Sequence, residues 1–199
     1  MSTKILFNGC SYCFGDELKD NEKSRYSRLI CDELGAEEIN ISKNGNSNYK
    51  IITDTYNYLQ NNDVDIVSIG ITYLERFCIP YKDILITINP SNTRAFKPVY
   101  DILAKLVYSS TNHETWFLYY SPLYDMLETY CKSKNIKTVY HCVKEKDLRL
   151  FTEKTDLNLF EIPFNKFAKS NYPMGKHYHP LEEAHEAYAS LLVDKFRNV

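Results

Sequence analysis

A serine and a histidine that lie far apart in the sequence have the surroundings of a nucleophile and its base. Ser11 follows a short apolar run, inside the segment Gly-Cys-Ser-Tyr-Cys-Phe-Gly of residues 9–15, which predicts a tight turn after a strand. His179 stands before Pro180, where a final helical pattern begins. In contact, an imidazole removes the hydroxyl proton and makes the serine oxygen a nucleophile. The pair therefore predicts covalent catalysis if the fold unites its two members.

The composition is that of one soluble globular domain, which we expect to span residues 1–199. Hydrophobic residues make up 44% of the chain and charged residues 25%, enough apolar material for a sizeable core. The formal net charge of −2 favours neither nucleic acid nor an anionic membrane as a partner. No stretch approaches the roughly 20 apolar residues that cross a bilayer. Six cysteines without a signal sequence indicate reduced thiols and a cytoplasmic protein, whose oligomeric state stays open.

The spacing of apolar residues alternates between that of strands and that of helices. Strands are predicted at residues 4–8, 38–42, 65–71 and 137–143, with a less regular one at 159–162, and helices at 24–34, 50–59, 99–107, 115–132 and 181–196. This alternation predicts an α/β protein, a three-layer α/β/α sandwich with a mostly parallel sheet of about five strands.

Residues 75–111 follow a less clear pattern. Within them, residues 83–88 fit either a strand or part of a lid, and residues 89–92 fit a turn. Farther along, Pro122 stands inside the strongest helical pattern and is expected to bend or divide that helix. The run Lys-Glu-Lys-Asp at residues 144–147 is typical of a solvated face.

Four polar loops are expected to share one edge of the sheet. They lie at residues 9–15, 42–48, 72–76 and 176–180. Ligands gather at the carboxyl ends of parallel strands, where such loops meet. The topology thus brings six residues into one predicted pocket: Ser11, Gly45, Asn46, Asn48, Thr72 and His179.

Together these loops resemble the sequence blocks of the SGNH (GDSL-type) hydrolases. The first block, Gly-x-Ser-x-x-x-Gly, stands at residues 9–15, with Cys10 where aspartate is usual. Gly45 fits the glycine of the second block, and the His-Pro of the last block stands at residues 179–180. In the third block Thr72 replaces the family's asparagine. The blocks run in family order across almost the whole chain, and the first one also resembles small members carried by bacteriophages.

The resemblance implies a flavodoxin-like SGNH fold and a serine esterase that needs neither a metal nor an organic cofactor. Ser11 is then the nucleophile and His179 the base. The N–H groups of Ser11 and Gly45 and the hydroxyl of Thr72 form the oxyanion site. The implied substrate is a small O-acyl ester, such as an O-acetylated carbohydrate. Three further residues are the predicted substrate contacts: Asn48, Arg76 and His177.

The aspartate that orients the histidine in this family has no counterpart at its usual place, where Lys176 and His177 stand. A backbone carbonyl, a water molecule or a distant acid such as Asp16 is left to hold the imidazole of His179. In triad enzymes, a wrong tautomer lowers the rate on the order of 10⁴-fold. The missing aspartate therefore bears directly on activity.

Other functions fit parts of the sequence. The absent aspartate and asparagine favour a catalytically degenerate SGNH fold that binds a glycan or a protein. Cys10 and Cys13 form a Cys-x-x-Cys after a strand, the placement of a thiol–disulfide pair. Three histidines invite a zinc site, although no cysteine or carboxylate stands at ligand spacing and no metal is expected: His177, His179 and His185. His113 and His141 have no predicted role.

Overall fold

A five-stranded parallel sheet forms the centre of the computed structural model, which describes residues 2–81, 84–88 and 98–199. In chain order the elements are β1 (Lys4–Asn8), α1 (Ser11–Phe14), α2 (Asn21–Ser24), α3 (Tyr26–Leu34), β2 (Glu37–Asn40), α4 (Asn48–Leu59), β3 (Ile66–Ile71), β4 (Phe77–Tyr81), β5 (Ile84–Ile88), α5 (Pro98–Ser110), α6 (His113–Ser133), β6 (Lys137–Cys142), α7 (Glu145–Lys154), β7 (Leu159–Phe160), α8 (Phe164–Asn171) and α9 (Glu182–Arg197).

The order of strands in the sheet is β2-β1-β3-β6-β7, and every neighbouring pair is parallel. The prediction of a three-layer α/β/α sandwich with five mostly parallel strands is confirmed. β2 lies on one side of β1 and β3 on the other. The connection from β1 to β2 therefore runs toward one edge of the sheet, and the connection from β2 to β3 runs back toward the other edge. Such a switch point opens a crevice at the carboxyl ends of the strands.

Successive side chains of the central strands pack on opposite faces of the sheet. Leu6 joins the core covered by α4, α6 and α7, whereas Ile5 and Phe7 join the core under α3, α8 and α9. In β3, Val67 lies on the first face and Ile66 on the second. Burial on both faces explains why β1 and β3 are continuous apolar runs rather than alternating ones.

The turn between β1 and α1 is packed very tightly. The sulfur of Cys13 lies against Gly9 and Gly70, where an added Cβ would stand only 2.1 Å and 2.2 Å from it. The two glycines therefore let α1 tuck under the ends of β1 and β3. Gly15 then ends α1 in the left-handed region (φ 82°), and its N–H donates to the carbonyl of Ser11. These contacts fix the position of Ser11 at the start of α1.

The region with the less clear pattern contains an antiparallel hairpin of β4 and β5. Residues 84–88 are thus a strand, while the predicted turn at residues 89–92 lies outside the described residues. The sequence pattern also does not predict α2, α7 or α8, which are short or rich in charge. Residues 159–162 form a strand only at their first two positions.

Helix α6 continues through Pro122 and is not divided there. Proline has no N–H for the carbonyl of Leu118, four residues earlier. The side chains of Leu118 and Pro122 are both exposed, so water has access to the carbonyl of Leu118. In α9, Leu191 lies at the solvent side of the helix and is 42% exposed. Across the described part of the chain, every helix is too short or too polar to span a bilayer.

Candidate active site

Ser11 is held at the carboxyl end of β1, at the first position of α1. The strand end is fixed by Asn8, whose side-chain amide donates to the carbonyl of Ile51 and to the hydroxyl of Thr55, both at 2.9 Å. Its amide oxygen accepts the N–H of Gly9 at 2.8 Å. Ser11 itself is only 4% exposed. The nucleophile candidate therefore stands on a rigid strand-to-helix turn.

The hydroxyl of Ser11 lies 2.9 Å from Nε2 of His179. The two residues are 168 positions apart in the sequence, and the loop before α9 brings the imidazole over the start of α1. That loop is itself closed by a bond from the N–H of Gly175 to the carbonyl of His179 at 2.8 Å. The predicted proximity of Ser11 and His179 is thus present in the structure.

The other ring nitrogen of His179 contacts Glu17, a residue that the sequence analysis did not select. Nδ1 lies 3.1 Å from Glu17 Oε2 and 3.7 Å from Asp16 Oδ2. Glu17, rather than the predicted candidate Asp16, is therefore the nearer acid. A carboxylate at Nδ1 favours the proton on that nitrogen and leaves Nε2 free to accept from Ser11.

The carboxylate of Glu17 also binds the backbone of the histidine loop. It accepts the N–H of His177 at 2.9 Å and the N–H of His179 at 3.2 Å. Partial burial opposes the negative charge, but these N–H bonds and the imidazole hold the pKa of Glu17 below its ordinary value. The acid therefore stays ionised while it orients both the ring and the loop.

Two backbone features make room for Glu17. Its own φ is 68°, in the left-handed region that residues other than glycine seldom adopt. A Cβ added at Gly175 would lie 2.6 Å from the carboxyl group, so the absence of a side chain there lets Glu17 reach the loop. Such strain at a site is typical of a position that the surrounding contacts over-determine. The only sequence signal was an acidic pair directly after the first motif.

Thr72 and Gly45 lie on the loops after β3 and β2. Thr72 is fully buried, and its hydroxyl accepts a hydrogen bond from Arg76 Nη1 at 3.1 Å. Gly45 has a left-handed φ of 73° in the turn between Lys43 and Asn46. Among the described residues, no hydrogen bond joins Ser11 to either Thr72 or Gly45. Their predicted oxyanion roles therefore stay predictions.

Asn48 differs from its predicted role as a substrate contact. It is fully buried, and its amide donates to the carbonyl of Thr72 at 3.1 Å. Its amide oxygen accepts the Thr72 N–H at 2.9 Å and the hydroxyl of Tyr124 at 2.7 Å. Both ends of the side chain are thus engaged within the protein, and Asn48 holds the Thr72 loop in place. Asn46 is likewise buried, with its amide donating to the carbonyl of Gly9 at 3.3 Å.

A cavity of about 440 Å³ opens beside His179. Aromatic side chains form part of its wall: Tyr12, Tyr73 and Tyr178. Polar and charged side chains form the rest: Glu75, Arg76, Lys144, Asn165, Lys169 and His177. Arg76 and His177 were predicted for this pocket. Lys144, Asn165 and Lys169 were not, although the loop after β6 shares the carboxyl edge of the sheet.

The Cys-x-x-Cys segment lacks the setting of a redox pair. Cys10 and Cys13 are both free and fully buried. Burial, together with the neighbouring Cys10, raises the pKa of Cys13 well above its ordinary value. A reactive cysteine needs the opposite, a lowered pKa and access to solvent. Cys13 instead fills the space between the ends of β1 and β3.

Three histidines with no predicted catalytic role lie inside the core or at its edge. Burial lowers the pKa of His141 to about 4, and its Nε2 lies 2.9 Å from the hydroxyl of Tyr26. Burial lowers the pKa of His185 to about 3, and its Nδ1 accepts the N–H of Tyr26 at 3.1 Å. His113 Nε2 lies 2.7 Å from the buried carboxylate of Asp147. Asp147 thus corrects the prediction that residues 144–147 form a solvated face.

No cluster of three potential metal ligands occurs in the described residues. His185 is turned into the core and is bonded to Tyr26, while His177 lines the cavity. The three histidines considered for zinc therefore face different surroundings.

Solved structures with the same architecture include three from bacteria. A lipolytic protein described as a G-D-S-L family member from Desulfitobacterium hafniense has a TM-score of 0.62 at 11% identity, over 98% of this chain and 99% of that one. The psychrotrophic esterase EstA from a Pseudoalteromonas species has a TM-score of 0.61 at 12% identity, over 99% and 98%. An acetylxylan esterase from Geobacillus stearothermophilus has a TM-score of 0.56 at 15% identity, over 98% and 95%.

No protein-family model matches the sequence, and no curated protein sequence is detectably similar to it. The similarity to the solved structures is therefore one of fold. It extends over nearly the whole length of the chain and of each of those three proteins.

Proposed function

We propose that this protein, which has the fold of the SGNH (GDSL-type) hydrolases, is a serine esterase that hydrolyses a small O-acyl ester. The observation that carries the proposal is the continuous contact from Ser11 through His179 to Glu17. Its two links measure 2.9 Å and 3.1 Å. A hydroxyl, an imidazole and a carboxylate in this order are the groups of a nucleophile, its base and an orienting acid.

The ionised state of Glu17 supports this assignment. Glu17 is held ionised by the backbone N–H groups of His177 and His179, so it accepts from Nδ1 of the His179 ring. Nε2 then carries a lone pair directed at the hydroxyl of Ser11. Glu17 takes the role of the aspartate that is absent from the family's usual place. It comes from the segment just after Ser11 and α1, not from the loop that carries His179.

Acyl transfer would proceed in two halves. The oxygen of Ser11 forms a bond to the ester carbonyl carbon while its proton passes to His179. Collapse of the tetrahedral intermediate breaks the bond to the alcohol, which leaves with that proton. Water then repeats the sequence on the acyl-serine, and the released products are a carboxylic acid and the free enzyme.

The developing oxyanion needs hydrogen-bond donors near Ser11. The N–H of Ser11 opens α1, where helical N–H groups lack an intrahelical acceptor. The Thr72 hydroxyl accepts from Arg76, which leaves the hydroxyl proton available and makes it a stronger donor. The N–H of Gly45 is the third candidate donor. Asn48 contributes indirectly, since it fixes both backbone polar groups of Thr72.

An O-acetylated carbohydrate fits the character of the cavity. Tyr12 and Tyr73 lie on its wall, and aromatic faces are suited to sugar rings. One of the solved structures with this fold is an acetylxylan esterase. His177, a predicted substrate contact, lines the same cavity.

The experiment that tests the proposal compares Ser11→Ala with Ser190→Ala, an exposed serine on α9. A fluorophosphonate should label the unmodified protein and Ser190→Ala but not Ser11→Ala. Hydrolysis of 4-nitrophenyl acetate should fall on the order of 10⁴-fold or more in Ser11→Ala alone.

Labelling and hydrolysis that persist in Ser11→Ala would reject the nucleophile assignment. A folded, unmodified protein that shows neither reaction would reject the esterase and support the degenerate binding module, for which the replacement of asparagine by Thr72 is the structural argument.

A further inference from the structure

The cavity beside His179 carries more positive than negative charge. Among the described residues that line it, Arg76, Lys144 and Lys169 stand against one carboxylate, that of Glu75. The chain as a whole has a formal net charge of −2, so this excess is local. A cavity of one charge sign attracts a ligand of the opposite sign.

Glu75 does not neutralise the excess, because it is shared. Lys144 Nζ lies 3.1 Å from Glu75 Oε1, and Lys146 Nζ lies 3.0 Å from the same oxygen. Burial disfavours the charge of Glu75, but its hydrogen bonds and the two ammonium groups lower its pKa to about 2. The negative charge of Glu75 is therefore already opposed by Lys144 and Lys146, and it does not offset the charges of Arg76 and Lys169.

Arg76 and Lys169 have no carboxylate within ion-pair distance among the residues that the structure describes. Arg76 is half-buried, and its Nη1 donates only to neutral oxygens, the Asn46 carbonyl at 3.2 Å and the Thr72 hydroxyl at 3.1 Å. Its guanidinium also lies over the ring of Tyr73, 4.8 Å from the centroid. A half-buried charge without an opposite charge is costly unless a ligand supplies one.

The wall between these cations is built from connected polar groups. The Asn165 amide donates to the hydroxyls of Tyr12 and Tyr73, at 2.5 Å and 3.2 Å. Lys144 Nζ lies 4.4 Å from the centroid of Tyr73, on which Arg76 also stacks. The cations thus border an ordered surface that reaches His179 through Tyr12, whose ring packs edge-on against the imidazole at 5.5 Å.

We propose that the ester substrate carries an anionic group, a carboxylate or a phosphate, which Arg76 binds and to which Lys169 and Lys144 contribute attraction. This inference rests on the proposed esterase function and names its substrate class. An anion bound at Arg76 would also lie near the donor Thr72, so that recognition and the oxyanion site share one side chain.

The first test compares esters that differ in one charge. 4-Acetoxybenzoate and 4-acetoxybenzamide place the charge on the alcohol side, and the 4-nitrophenyl monoester of succinic acid and its methyl ester place it on the acyl side. We expect a kcat/KM about tenfold higher for the anionic member of at least one pair, the effect of a single charged hydrogen bond. Equal rates, or a preference for the neutral member in both pairs, would overturn the inference.

Matched variants locate the effect. Lys169→Gln and Arg76→Gln should each reduce the ratio of anionic to neutral kcat/KM, whatever they do to either rate alone. Lys166→Gln on the same helix is the control, because Lys166 pairs with Glu145 and lies outside this cavity. A ratio unchanged in both test variants, or reduced equally in the control, would reject the assignment.

A binding experiment separates failure of this inference from failure of the esterase. NMR titrations of the histidine ring signals with 4-hydroxybenzoate, phenyl phosphate and 4-hydroxybenzamide require no turnover. Tighter binding of one or both anions, weakened in Lys169→Gln, supports the anion site even in an inactive protein, and the preferred anion tells carboxylate from phosphate. Equal affinity for the anions and the amide rejects the site even if neutral esters are hydrolysed.

Discussion

Two histidine–carboxylate pairs of this protein have similar lengths but different settings. His179 and Glu17 lie 3.1 Å apart at the edge of the cavity, with side chains 17% and 15% exposed. His113 and Asp147 lie 2.7 Å apart, and the aspartate is fully buried. Only the first pair has a serine hydroxyl at the far ring nitrogen. Distance alone therefore does not distinguish an orienting acid from a structural one.

The pKa directions of the two carboxyl groups differ. Burial raises the pKa of Asp147 above its ordinary value, even though His113 opposes that shift. Burial acts in the same direction on Glu17, but N–H groups of the histidine loop and the His179 ring bring its pKa below the ordinary value. Backbone donors added to a histidine ring lower the pKa of Glu17, whereas a histidine ring alone does not bring that of Asp147 below its ordinary value.

The largest expected effect comes from removing the charge of Glu17, and the matched removal of the Asp147 charge serves as its control. Glu17→Gln places an amide N–H or a weaker acceptor at Nδ1 of His179, so the base spends most of its time in an unsuitable tautomer. We expect kcat/KM to fall on the order of 10³- to 10⁴-fold. Asp147→Asn should leave kcat/KM for this uncharged ester within about twofold, since the Asp147 charge acts on His113, Glu75 and Lys144 and not on Ser11, His179 or Glu17. The measurement is steady-state hydrolysis of 4-nitrophenyl acetate by the purified variants.

An Asp147→Asn variant that stays folded but loses as much activity as Glu17→Gln would contradict the different roles of the two carboxylates. A circular dichroism spectrum and a Tm for each variant make that distinction. Fluorophosphonate labelling should also slow in Glu17→Gln, because the probe reports the reactivity of Ser11 directly.

A smaller effect is expected from Gly175→Ala, which changes none of the three proposed catalytic side chains. The added methyl would stand 2.6 Å from the Glu17 carboxyl group and would push it away from the imidazole. Misplacement of this size typically costs roughly 10- to 100-fold in rate. Shortening the acid in the double variant Gly175→Ala with Glu17→Asp should restore part of kcat/KM. A single variant as active as the unmodified protein would contradict the packing argument.

The smallest effect concerns stability at acid pH, where the two carboxyl groups act with opposite sign. Glu17, with its lowered pKa, stabilises the fold at pH values above its ordinary pKa. That contribution is lost as pH falls through the pKa of Glu17 in the folded state. Asp147, with its raised pKa, costs stability when ionised, and that cost disappears as pH falls. Between about pH 6 and pH 3, urea unfolding of Glu17→Gln should therefore lose stability less steeply than the unmodified protein, and that of Asp147→Asn more steeply. Parallel curves for both variants would refute the two pKa directions.

The sheet and the meeting of Ser11 with His179 could be predicted because both depend on strong local signals. Continuous apolar runs mark β1 and β3, and the carboxyl ends of parallel strands converge whatever the loops contain. The loop after β6 obeys the same rule, so Lys144 could have been included in the predicted pocket. Residues of α8 were not included, because the helical spacing of Phe164, Phe167 and Ala168 does not by itself tell that this short helix borders the same edge.

Glu17 and Asp147 could not be identified for a different reason. The role of Glu17 depends on a left-handed backbone at its own position and on the missing side chain of Gly175, which no spacing rule relates to it. Asp147 stands in an alternating charged run, yet the fold buries it against His113. In both cases the decisive contact is made by a residue far away in the sequence.

The double attachment of Glu17, to a ring and to the backbone beside it, has a consequence for motion. One carboxylate secures the imidazole of His179 together with the amides of His177 and His179. A fluctuation that lifts this loop separates the serine from its base and the acid from its partners in a single event. The proposed catalytic arrangement is then either fully formed or fully broken, and amide hydrogen exchange at these two histidines would report how often the loop opens.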